Sequence, residues 1–184
     1  MEMEKRHDER GNFARTWCRR EFSEHGLDSR LEQCNTSFNE RKGTLRGMHF
    51  QLAPHEEPKL VRPTAGGIYD VIVDLRPNSA SYCHWLAVEL QAGDGRMLFV
   101  PAGFAHGFET LVDRTEVLYQ MGEEYHPESA SGVRWNDPVF GIQWPAGGKL
   151  ISARDQTYPD YLPLHGKQRT GETGAGAPDG DDLA

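Results

Sequence analysis

From about residue 33 to residue 121 the chain is a succession of short β-friendly runs cut by turn residues. Strands of that length at that spacing predict an all-β sandwich or barrel. The strongest piece is Lys59-Leu60-Val61-Arg62, then Ala65-Gly66-Gly67, then residues 68–75. Strand, glycine turn and strand in that order predict a hairpin. In its second arm Tyr69, Val71, Val73 and Leu75 alternate with Asp70, Ile72 and Asp74, the period of a strand with one buried face. Pro77-Asn78-Ser79 then breaks the chain. Further runs are expected at 82–90, with Leu86, Val88 and Leu90 on one face, and at 96–100, 104–111 and 115–121.

Outside that block the signals are weaker. Residues 1–9 are charged and carry little structural information, and Arg10-Gly11-Asn12-Phe13 reads as a turn entering a short extended piece. Residues 17–31 allow one short helix ending near Gly26. Residues 123–165 are rich in Pro, Gly, Trp and Asp and are expected to wrap the barrel as ordered loops. Residues 166–184 hold five glycines and no aromatic residue, the composition of a disordered tail. A chain of 184 residues suits one domain, here expected over 1–165.

A formal net charge of -8 argues against a nucleic-acid or anionic-membrane partner, either of which would call for a basic face. It leaves room for a small anionic substrate, because a pocket needs only a few local cations. Cys18, Cys34 and Cys83 show no CxxC spacing, which fits a reducing compartment. No apolar run is long enough to span a bilayer and no signal peptide is evident, so the expected location is the cytoplasm.

The chemistry gathers around Gly43-Thr44-Leu45-Arg46-Gly47-Met48-His49-Phe50-Gln51. It reads as a strand, with an arginine and a histidine where a core strand would carry aliphatic residues. Arginine is a forked donor for phosphate or carboxylate, and histidine titrates nearest neutrality. A second histidine, His106, shares a strand face with Phe104 and Phe108. The Pro-x-Gly-x-x-His string around it resembles the second motif of metal-binding cupins. Such proteins also need a closely spaced His-x-His pair in the first motif, whereas His49 is followed by Phe50 and Gln51. No metal and no other cofactor is therefore expected in the cavity. Acid–base work is the other use. Lys59, Tyr119 and Asp155 would add a cation, a phenolic acid and an orienting carboxylate, the set needed for proton abstraction beside a carbonyl.

Several strings together resemble the dTDP-4-dehydrorhamnose 3,5-epimerase family. They are Leu45-Arg46-Gly47-Met48-His49-Phe50-Gln51, Lys59-Leu60-Val61, residues 70–76, residues 101–108 and Trp135-Asn136-Asp137-Pro138, with Arg10-Gly11 and residues 151–155 extending the match. The resemblance covers about residues 8–156. It implies a cupin-type double-stranded β-helix (jelly-roll) barrel, usually a homodimer, acting without metal on a nucleotide-diphosphate-linked 4-keto-6-deoxy sugar. It implies His49 as base, Asp155 as its dyad partner, Tyr119 as proton donor and Lys59 beside the C4 oxygen. Arg10, Gln33, Asn35, Arg46, His106 and Arg154 fall on substrate-binding positions, and Tyr125 on that of the tyrosine that stacks on the base.

The chain departs from the family at Arg15 and Ala130, where glutamates are usual, and at Cys34, which replaces a frequent aspartate. A C3-only epimerase, a metal-dependent cupin and a catalytically silent sugar-nucleotide binder are the other readings. One geometric demand follows from strand alternation, which puts Arg46 and His49 on opposite faces. For both to enter one pocket, the strand must bulge near Gly47, or Arg46 must reach in from the barrel mouth.

Overall fold

In the computed structural model, residues 1–147 and 150–163 are described. The elements follow in the order β1 (Lys5–Asp8), β2 (Gly11–Ala14), α1 (Arg19–Glu24), β3 (Gln33–Asn39), β4 (Thr44–Gln51), β5 (Lys59–Ala65) and β6 (Gly67–Asp74). They continue with β7 (Trp85–Gln91), β8 (Leu98–Val100), β9 (Phe104–Thr110), β10 (Thr115–Met121), β11 (Ala130–Gly132), β12 (Leu150–Ile151) and α2 (Ala153–Gln156). One sheet runs β3-β10-β5-β8; the other runs β11-β4-β9-β6-β7, with β12 added parallel to β4. The two sheets face each other as a cupin-type jelly roll.

Apolar residues between the sheets close the barrel: Val61, Val100 and Val117 from one, Ile68, Ile72, Leu90 and Phe108 from the other. Both outer faces are covered as well. Trp17 and Phe22 lie on Leu60, Met97 and Phe99 over the four-stranded sheet. Val133, Phe140, Ile142, Trp144 and Tyr161 cover Met48, Val71, Val73 and Ala105 on the back of the larger sheet. The loop-rich segment after β10 is thus the wrap expected of it. Full burial of each such side chain contributes roughly 1.5–3 kcal/mol.

The expected 59–75 hairpin does not form. β5 pairs with β10 and β8, while β6 pairs with β7 and β9. Gly66 is the one residue between β5 and β6, and it is a corner at which the chain passes from one sheet to the other. Its φ is +71°, and a Cβ there would fall 2.3 Å from Thr115 Oγ1. A tight glycine corner between two strands looks the same in sequence whether the chain turns back beside itself or crosses over.

Nor does β6 have a single buried face. Ile68, Asp70 and Ile72 turn into the barrel, while Tyr69, Val71 and Val73 turn outward beneath the wrap. At the 82–90 run, Val88 and Leu90 face inward as expected, but Leu86 is exposed. The first nine residues are more ordered than their composition suggests. β1 pairs with β2, Met3 N donates to Gly95 O at 2.8 Å, and the amino terminus donates to Met97 O at 2.8 Å. α1 ends two residues before Gly26, as the helix reading required. The expected tail at 166–184 lies outside the described residues. Among those that are described, no helix is long and apolar enough to cross a membrane.

Candidate active site

A cavity of about 500 Å³ opens between the sheets, within the usual range for a small-molecule site. Its larger-sheet wall carries Arg46, His49 and His106; the facing sheet supplies Gln33, Asn35, Lys59 and Tyr119. Tyr125, Ala130 and Arg154 complete it from the C-terminal segment.

The geometric demand on β4 is met by a bulge. Arg46 lies opposite Phe108 and His49 opposite His106, so Gly47 and Met48 face the single residue Gly107. That extra residue brings Arg46 and His49 onto the same face. Two glycines allow it. Gly47 has φ +137°, and a Cβ there would come within 2.6 Å of Gly107 Cα. A Cβ on Gly107 would meet Arg46 O at 2.8 Å and Met48 Sδ at 2.7 Å.

Behind His49 stands Asp155. His49 Nε2 lies 2.7 Å from Asp155 Oδ1, and Gly47 N donates to Oδ2 at 3.3 Å. Asp155 is held there by α2. Ser152 caps that helix and accepts a hydrogen bond from Asp155 N at 3.1 Å. Burial on its own would raise the Asp155 carboxyl, but the hydrogen bonds from His49, Gly47 and Ser152 outweigh it and hold the pKa below the usual carboxylate range. The dyad is therefore an ionised carboxylate fixing one ring nitrogen, which leaves Nδ1 of a half-exposed imidazole to accept a proton.

Two groups on the opposite sheet answer it. Tyr119 hydroxyl lies 3.2 Å from Ser37 Oγ, with its ring edge-on to His106. Burial pushes the phenol well above its ordinary pKa, so it stays protonated. Lys59 is 4 % exposed and in contact with the Glu57 carboxylate, itself 9 % exposed. Burial lowers the lysine pKa, and Glu57 opposes that shift without cancelling it. Replacing Glu57 by glutamine removes the opposing charge, so the Lys59 pKa falls further. If the ammonium is the working form, the alkaline fall of kcat moves to lower pH in Glu57→Gln. An unmoved alkaline limb in the variant's pH–rate profile would separate Glu57 from the chemistry.

A second histidine–carboxylate pair lies deeper. His106 Nε2 is 2.6 Å from Asp70 Oδ1, and both side chains are buried. Arg46 Nε donates to Asn39 Oδ1 at 2.7 Å, which aims the guanidinium along the wall. Gln33 and Asn35 are linked to each other at 3.1 Å, and Gln33 donates to Glu123 O at 3.0 Å. Tyr125 is 58 % exposed, and Arg154 donates to the Tyr158 hydroxyl at 3.0 Å.

Of the residues named from sequence, one lies elsewhere. Arg10 sits at the β1–β2 turn, paired with Asp8 and 85 % exposed, and does not line the cavity. Arg15 is also outside it, paired with Glu21, whereas Ala130 lines the wall. Sequence reasoning missed Glu57, Asp70, Ser37 and Asn39. Asp70 was masked, because with Ile72 and Asp74 it reads as the outward face of its strand, and only the fold turns that face into the barrel. Asn39 and Ser37 carried no signal, since polar residues are unremarkable in a strand beginning Gln33-Cys34-Asn35.

Known proteins resemble this chain in sequence and in shape. The family model described as dTDP-4-dehydrorhamnose 3,5-epimerase matches residues 1–162. A dTDP-4-dehydrorhamnose 3,5-epimerase of Methanothermobacter thermautotrophicus is 46 % identical over 156 residues, covering 82 % of each chain. The Bacillus anthracis structure of that name, with TDP and PPi bound, superposes with a TM-score of 0.84 at 39 % identity, covering 87 % of this chain and 91 % of that one. A Legionella pneumophila dTDP-6-deoxy-D-glucose-3,5-epimerase in complex with dTDP-4-keto-L-rhamnose superposes with a TM-score of 0.77 at 36 % identity, covering 84 % and 82 %.

Proposed function

Because the chain belongs to the dTDP-4-dehydrorhamnose 3,5-epimerase family, we propose that its cavity inverts the carbons flanking the ketone of a dTDP-linked 4-keto-6-deoxy sugar. The chain is a nucleotide-sugar epimerase, an isomerase. One observation carries the mechanism. His49 projects from one sheet with Asp155 of α2 behind it, while Tyr119 and Lys59 project from the sheet that faces it. A sugar ring lying between the sheets has a base on one face and an acid on the other, the arrangement that epimerisation requires.

His49 takes the proton from the carbon beside the ketone, and the C–H electron pair becomes the C=C bond of an enolate. The carbonyl oxygen gains the negative charge and is met by the Lys59 ammonium. Tyr119 then delivers its hydroxyl proton to the same carbon from the opposite face. The transfer leaves imidazolium and phenolate, which return to their starting states by proton exchange with water. Asp155 stabilises the imidazolium in between, the role of the carboxylate in other His–Asp pairs. The cycle repeats at the second carbon. Arg46 and Arg154 answer the diphosphate, and Tyr125 offers the nucleobase an aromatic face.

The test is incubation with dTDP-4-keto-6-deoxyglucose in D₂O followed by NMR. Deuterium at C3 and C5 with inverted product is expected. Deuterium at C3 alone would reduce the activity to a 3-epimerase, and no exchange would overturn the reading.

A cytoplasmic homodimer belongs to the same reading. The three cysteines are free, as a reducing compartment allows. The β1–β2 hairpin carries Arg10 and the 74 % exposed Phe13 away from its own cavity. If Arg10 binds substrate, it does so in the partner's cavity. Mixed dimers of Arg10→Ala with His49→Asn chains would then hold one intact site and recover activity that neither parent has. Mixtures as inactive as their parents would place Arg10 outside the site.

A further inference from the structure

Two loops beside the cavity bring together a group of side chains that epimerisation does not use. His55 lies between β4 and β5, and His126 and Glu128 lie between β10 and β11. The two imidazole rings stack at 3.5 Å with 16° between their planes. Glu128 Oε1 is 3.4 Å from His126 Nδ1. One ligand-type atom from each of the three residues lies within 4.8 Å of the others, and no other such trio of His, Cys, Asp or Glu occurs among the described residues.

The loops that hold these side chains are fixed from below. Gln51, 3 % exposed, donates through Nε2 to His55 O at 3.1 Å and to Glu124 O at 2.9 Å. Its Oε1 accepts from His126 N at 2.7 Å. One buried amide therefore sets the backbones of both histidines. Glu123 Oε1 lies 3.8 Å from His126 Nε2, the nitrogen on the far side of the ring from Glu128. At that distance the carboxylate is a charged neighbour and not yet a hydrogen-bond partner; a turn of the ring that closes the gap would leave Nδ1 as the metal ligand, with the outer support usual at a metal-bound histidine.

We propose that His55, His126 and Glu128 form a binding site for a divalent transition-metal ion. Two imidazoles and one carboxylate suit Zn²⁺, Ni²⁺ or Cu²⁺, with water completing the coordination, and do not suit Mg²⁺ or Ca²⁺, which prefer all-oxygen sites. Parallel rings cannot both point a lone pair at one ion, so loading turns one ring about χ2; both rings are only partly buried. The ion ties the loop that carries Glu57 to the loop that carries Tyr125, and it is separate from the proton-transfer groups. It therefore does not bear on whether the epimerisation itself needs metal.

The experiment uses the full chain, without an affinity tag, stripped by chelator and titrated with Zn²⁺ by calorimetry. One saturable equivalent is expected, with a rise in Tm on loading, and Co²⁺ in its place should show visible d–d bands. His55→Ala and His126→Ala should each weaken Zn²⁺ binding beyond the roughly 10–100-fold typical of losing a supporting contact. Glu128→Gln, at a 69 % exposed side chain that the fold does not need, should weaken it measurably while leaving the circular dichroism unchanged. His25→Ala, at the C-cap of α1 and outside the trio, should bind as the parent does. The proposal is overturned if the parent chain shows no saturable Zn²⁺ binding. It is equally overturned if His126→Ala and Glu128→Gln bind as the parent does, or if His49→Ala is the variant that loses the ion.

Discussion

Replacing His49 by asparagine should lower turnover by roughly 10²–10⁴-fold, the usual contribution of a positioned base, and should abolish deuterium entry at both carbons. A proton beside a ketone is far too weakly acidic for free imidazole to remove at a useful rate. The cavity supplies what solution lacks. Asp155 is ionised and 2.7 Å from one ring nitrogen, so it holds the ring and favours the imidazolium as it forms. The bulge at Gly47 and Met48 brings that ring into the cavity beside Arg46. Asparagine is polar but too short to reproduce the Nε2 contact, while Gly47 N still donates to Asp155, so the buried carboxylate keeps one donor. The loss should therefore appear in kcat far more than in KM. Exchange rates by NMR and initial rates by product analysis check it, and exchange at the parent rate in His49→Asn would remove His49 from the mechanism.

Much of this site was legible because several of its residues are chemically out of place in a β-strand. Arginine and histidine in β4, and a second histidine among aromatics in β9, announce an interior that is not purely apolar. Strand alternation also left two ways for Arg46 and His49 to share a pocket, a bulge near Gly47 or a reach from the barrel mouth, and the strand takes the bulge. Other features were hidden for physical reasons. The crossover at Gly66 uses the same residues as a hairpin turn, and only pairing partners elsewhere in the chain decide between them, as Ala65 with Glu116 and Gly67 with Gln91 show. The second buried face of β6 depends on a wrap that arrives some sixty residues later, with Val133 and Phe140. Glu57 lies in a short charged stretch, and its burial beside Lys59 is a property of the closed barrel. Arg10 was assigned by resemblance, and nothing local to it could indicate that its hairpin leads away from the cavity of its own chain.

Tyr119→Phe should divide the reaction at its midpoint. In the proposed mechanism abstraction depends on His49, Asp155 and Lys59, none of which the substitution changes, so the enolate should still form. What is lost is the proton donor on the other face. The Tyr119 hydroxyl lies 3.2 Å from the Ser37 hydroxyl, its ring stands nearly perpendicular to His106, and burial keeps the phenol protonated. Without it the enolate can recover a proton only from the side that lost one. His49, with 42 % of its side chain exposed, exchanges its proton with solvent while it waits. Recovered substrate should then carry deuterium with its original configuration, while inverted product falls by roughly 10²–10⁴-fold. Phenylalanine keeps the ring that packs on Phe108, 6.4 Å between centroids, so little is lost in the core. Its one structural cost is the Ser37 hydroxyl, which lines the cavity and can turn to water. The readout is the ratio of deuterium retained in substrate to product formed. Exchange and inversion lost in equal measure would show that Tyr119 acts before the enolate forms, and the opposite-face donor would have to be sought elsewhere on the four-stranded sheet.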